Sequence, residues 1–145
     1  MVSTTDLPGR RWEVVRVGLG VMYLLGALAH VALGWFAPEI YASFADRAPL
    51  GAYTDLWRAL VVPNLFILQP LVAVFELGVG VALLWRGRAV LVGHAVGASF
   101  QAVLILSGPW GPVNAVLALV HLAALRTSYP ATVAALARWR VGRAS

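Results

Sequence analysis

Four apolar runs, each near the length of a membrane crossing and bounded by arginine, tryptophan or proline, dominate this chain. A hydrocarbon core of about 30 Å takes about 20 apolar helical residues at 1.5 Å each. The runs place spans at 14–36, 60–85, 89–107 and 111–126. The last is the shortest, and Pro112 falls in its first turn, where the missing amide has no intrahelical partner to lose. These spans and their connections use most of the 145 residues and leave room for one domain. With 61% hydrophobic and 12% charged residues, against about 25% charged in soluble domains, the chain cannot cover itself with a water-facing surface. The sequence therefore predicts an all-α integral membrane four-helix bundle.

Arginine placement orients it. Arg10, Arg11, Arg16, Arg86, Arg88, Arg126, Arg138, Arg140 and Arg143 fall on one side of the four-span arrangement, and only Arg47 and Arg58 on the other. The positive-inside rule puts both termini in the cytoplasm and makes this a multi-pass cell-membrane protein. Because the arginines lie at the ends of apolar runs rather than in one patch, the net charge of +5 points to membrane topology and not to nucleic acid. Trp12, Trp85 and Trp139 fall at the inner interface and Trp35, Trp57 and Trp110 at the outer, as an aromatic belt requires. Ala27-Leu28-Ala29 imitates a signal cleavage site, but the apolar run continues to Phe36, so this segment is read as a span. The outer loop 37–59 mixes charges with Tyr41, Phe44 and Trp57 and reads as short amphipathic structure, either a lid or a solvated connector. The cytoplasmic tail 127–145 reads as an interfacial segment held by anionic lipid.

Polar side chains inside the spans follow a pattern. Tyr23 and His30, Gln69 and Glu76, His94 and Gln101, and Asn114 and His121 are each separated by two helical turns, about 10 Å along one face. Allowing for alternating helix direction, Tyr23, Glu76, His94 and His121 form an inner tier, and His30, Gln69, Gln101 and Asn114 an outer one. Glu76 lies about 15 Å from Arg86 and hence near the bilayer midplane, where a lone charge costs at least about 2.5 kcal/mol. It must be protonated, paired with His94 or His121, or open to a wet cavity. Glu76, His94 and His121 are the candidate acid–base groups, with Tyr23, His30, Gln69, Gln101 and Asn114 as candidate ligand contacts. The bland reading makes all eight interhelical hydrogen-bond glue. The absence of cysteine excludes thiol chemistry, and no HxxxH or ExxH spacing supports a metal or haem site.

Arg16-Val-Gly-Leu-Gly with Gly26-Ala-Leu-Ala-His30, and Phe75-Glu76-Leu-Gly-Val-Gly80-Val-Ala-Leu-Leu84 followed by a basic turn, resemble the DoxX-like family of small four-span membrane proteins across 15–106. The resemblance implies a four-helix bundle associated with quinone-linked oxidation and with membrane complexes that handle oxidative stress. It carries over Glu76 alone and establishes no catalytic residue. The leading expectation is a membrane module holding an amphiphilic small molecule, such as a quinone, isoprenoid or lipid, between its helices. The alternatives are a cofactor-independent enzyme of isomerase or epoxide-opening type using Glu76, and an accessory subunit of a larger membrane complex. Partners would be the bilayer, the lipophilic molecule, and a second copy or a membrane redox protein.

Overall fold

A computed structural model describes residues 10–135, which contain helices and no strand. α1 (Arg10–Phe36) is followed by two short helices, α2 (Glu39–Asp46) and α3 (Gly51–Leu56). The chain then runs through a π turn at Trp57–Val61 and a 3-10 turn at Val62–Asn64 into α4 (Leu65–Leu84). α5 (Arg88–Val103) and α6 (Gly111–Ala124) complete the bundle, joined by two further 3-10 turns.

Among the described residues, three helical stretches, Arg11–Phe36, Gly51–Leu84 and Arg88–Leu106, are long and apolar enough to cross a membrane. The second starts well before residue 60, because the chain between Ala52 and Val62 contains neither glycine nor proline to stop a helix. Pro63 then breaks the regular hydrogen-bond ladder, which widens and tightens locally instead of ending. α6, with 14 residues, is about 21 Å long and is not among the three.

Polarity is distributed inside out. Leu28, Phe66, Val74 and Leu119 are exposed, whereas Arg16, Glu76, His94 and His121 are buried. Such an arrangement suits a hydrocarbon solvent, in which polar groups must find partners within the protein. α1 packs chiefly on α4 and α5 chiefly on α6, and contacts between α4 and α5 join the two pairs.

The two ends differ. At one end Arg16, fully buried, donates to the Trp85 and Ala131 carbonyls at 2.8 Å each and to Glu13 at 2.6 Å, and lies over the Tyr129 ring. The Gly87 amide donates to the Tyr129 carbonyl at 2.6 Å, so the α4–α5 turn and the segment after α6 close against each other. The expected tail is described only to residue 135; Arg138, Trp139, Arg140 and Arg143 lie outside the described residues. At the opposite end the 37–59 segment folds as a cap. Trp57 Nε1 donates to the Tyr41 carbonyl and Thr54 Oγ1 to the Ala45 carbonyl, both at 2.8 Å, and Arg58 pairs with Asp46 at 2.5 Å.

Candidate functional site

Between the four long helices lies a cavity of about 360 Å³, roofed by Tyr41, Phe44 and Trp57 of the cap. Tyr23, His30, Gln69, Glu76, Gln101 and Asn114 line it, and most of the remaining wall is aliphatic or aromatic. Helical repeat explains the convergence: residues seven apart return to one face, and all four helices turn that face inward.

Glu76 of α4 packs against Gly26 of α1. A Cβ on Gly26 would stand 2.7 Å from Glu76 Oε2, and one on Gly34 would stand 2.7 Å from Gln69 Oε1. The missing side chains on α1 are therefore the space that the two polar groups of α4 occupy. This register places Glu76 level with Gly26, between Tyr23 and His30. The ionisable group beside Glu76 is accordingly His30, whose Nε2 is 3.7 Å from Oε2, rather than His94 or His121. His30 Nδ1 shares a 2.5 Å hydrogen bond with the Tyr41 hydroxyl. Burial pushes the Tyr41 phenol above its usual pKa, so it remains a neutral donor throughout the physiological range. With Tyr41 donating, the hydrogen of a neutral His30 resides on Nε2 and faces Glu76.

A second polar cluster lies deeper. His94 Nδ1 and His121 Nδ1 are 3.0 Å apart, His121 Nε2 is 3.3 Å from the Tyr23 hydroxyl, and Gln101 Nε2 donates to that hydroxyl at 3.1 Å. The chain thus reaches the cavity wall through Tyr23 and Gln101, while the two histidines stand behind it. Gln101, expected with His30 in the outer tier, joins the inner cluster. Asn114 instead binds the turn after α5, donating to the Leu104 carbonyl at 2.8 Å.

Among the described residues, four buried side-chain atoms have no hydrogen-bond partner: Gln69 Nε2, Glu76 Oε2, Gln101 Oε1 and His94 Nε2. The first three belong to residues lining the cavity. Among the described residues, no three potential metal ligands of the His, Cys, Asp and Glu types come together. The sequence places Tyr41 only in the amphipathic outer loop and not in the site, since a tyrosine in a connecting loop carries no periodic signal. It likewise marks Arg16 only as a topological charge. No family model, curated protein or solved structure matches this chain.

Proposed function

We propose that this protein spans the cell membrane as a four-helix bundle with both termini in the cytoplasm, and holds an amphiphilic small molecule of quinone, isoprenoid or lipid class in its cavity. The observation that carries the reading is the set of three unpartnered polar atoms, Gln69 Nε2, Glu76 Oε2 and Gln101 Oε1, on the wall of a mainly apolar cavity. Each buried group left without a partner costs about 1–3 kcal/mol, so a polar or charged head that compensates one or more of them gains affinity. Leu65, Leu68, Val72 and Leu117 offer the rest of the molecule an aliphatic wall. The resemblance to DoxX-like proteins agrees with a lipophilic ligand, and assembly of Arg16, the Trp85 carbonyl and Ala131 at one end supports the arginine-based orientation.

The Tyr41–His30–Glu76 line favours one second reading, a cofactor-independent enzyme in which Glu76 moves a proton on a lipophilic substrate. Mass spectrometry of solvent extracts from the purified protein tests the main proposal. An amphiphile enriched over bulk lipid in the wild type and lost in Glu76→Gln is expected. Extracts indistinguishable from bulk lipid would remove its support.

A further inference from the structure

We infer that the head group this cavity selects is a cation, making the ligand a lipophilic amine, quaternary ammonium or phosphonium. The inference rests on the cavity reading above and narrows it. Among the described residues, Glu76 is the only acidic one on the wall, and no arginine lines the cavity. Arg16, at one end of the bundle, is committed to Glu13 and two carbonyls, and Arg58 in the cap to Asp46. An ionised Glu76 therefore has no permanent positive partner, and Oε2 has no hydrogen-bond partner at all. His30 stands beyond hydrogen-bond reach at 3.7 Å and is held on its other side by Tyr41.

The surroundings complete a cation site. Tyr41, Phe44, Trp57, Phe100 and Trp110 line the same cavity, and Phe44 meets both Tyr41 and Trp57 edge to face, with centroids 5.9 and 6.3 Å apart. Aromatic faces attract cations that carry an apolar body, which a hydrated inorganic ion does not. A carboxylate below and rings above suit a charge embedded in hydrocarbon. The titratable groups facing the carboxyl are His30 and Tyr23 from α1 and Tyr41 from the cap, whereas α5 and α6 contribute the neutral amides Gln101 and Asn114. Acidification protonates Glu76 or charges His30, and either change opposes a cationic ligand.

Binding of methyltriphenylphosphonium to the purified full chain in a neutral detergent, followed by calorimetry and tryptophan fluorescence, tests the inference. The neutral triphenylphosphine oxide serves as a shape control. The expected result is saturable binding of the cation, weakened at least about tenfold in Glu76→Gln and on moving from about pH 8 to about pH 5, with the oxide bound more weakly and indifferent to both changes. Equal affinity for cation and oxide, or cation binding that ignores both the variant and pH, overturns the inference. Should Glu76→Gln fail to fold, the pH comparison on wild type decides alone. A decyl-quinone that binds while the phosphonium does not would end the cation assignment and leave the cavity reading standing. If neither binds and no amphiphile co-purifies, both fall.

Discussion

His94 and His121 meet Nδ1 to Nδ1 at 3.0 Å, on neighbouring helices and behind the cavity rather than in it. A hydrogen bond between two imidazole nitrogens needs a lone pair on one of them, so the contact excludes a doubly protonated pair. In either tautomeric arrangement His94 Nε2 is left without a partner, while His121 continues the chain to Tyr23. Replacing His121 with Phe keeps most of the bulk but leaves His94 with neither nitrogen bonded and Tyr23 short of a partner. The expected loss is about 2 kcal/mol, against about 1 kcal/mol for His94→Phe. The double variant should be less destabilised than the sum by about 1 kcal/mol, because it removes both ends of the orphaned bond. Unfolding in mixed micelles reads these values, and strict additivity would show that the pair carries no coupling.

How much of this was legible beforehand follows from which physical signals are local. Seven-residue spacing is local, and it selected side chains that the fold turns inward, from Tyr23 to His121. Relative height between helices is not local. Counting inward from Arg86 put Glu76 beside the histidines, but the α1–α4 register is fixed by Gly26 against Glu76 and Gly34 against Gln69, which raises Glu76 towards His30. Such a register depends on which small residue faces which large one across an interface, and no single-helix pattern encodes it. The cap was legible as amphipathic structure. Its delivery of Tyr41 to His30 was not, because that contact depends on the tertiary path of a loop.

Arg16 should be a structural clamp as much as a topological charge. Its guanidinium is buried and joins α1 to the Trp85 carbonyl and to the segment after α6. Arg16→Met keeps the stem but abandons two carbonyls and Glu13. A loss of about 3 kcal/mol is expected, with faster proteolysis of the chain beyond Arg126. Arg16→Lys should recover only part of it, since one ammonium cannot reproduce the guanidinium fork. An Arg16→Met protein of wild-type stability and protease resistance would refute the clamp.

Topology can be read from single cysteines on a chain that has none of its own. Ser43 is exposed on α2 in the cap, whereas Arg88 and Arg126 are exposed at the opposite end. A membrane-impermeant maleimide added to intact cells should label Ser43→Cys and spare Arg88→Cys and Arg126→Cys until the membrane is opened. Labelling in the reverse order would invert the proposed orientation, and labelling of all three from one side would contradict a bundle whose two ends face opposite compartments.

Glycines of α1 and α4 separate a site from its scaffold. A methyl group at Gly26 would lie 2.7 Å from Glu76 Oε2 and 3.1 Å from its carboxyl carbon, and one at Gly34 would lie 2.7 Å from Gln69 Oε1. In each case the polar tip must move, and it moves within the cavity that Glu76 and Gln69 line. At Gly18 and Gly78, by contrast, an added Cβ meets nothing within 4 Å. Alanine there should leave ligand retention unchanged and, through helix propensity, stabilise the fold by up to about 1 kcal/mol. Gly26→Ala should gain the same propensity and lose it again to the displaced carboxyl, giving near-neutral stability with at least about tenfold weaker ligand retention, a change of about 1.4 kcal/mol in binding alone. Gly34→Ala should act in the same direction through Gln69. Retention measured on the four variants side by side decides the matter: an equal response at all four positions would mean that these glycines only tune helix stability, while loss confined to Gly26 and Gly34 would mean that the α1–α4 register holds the head-group site in place.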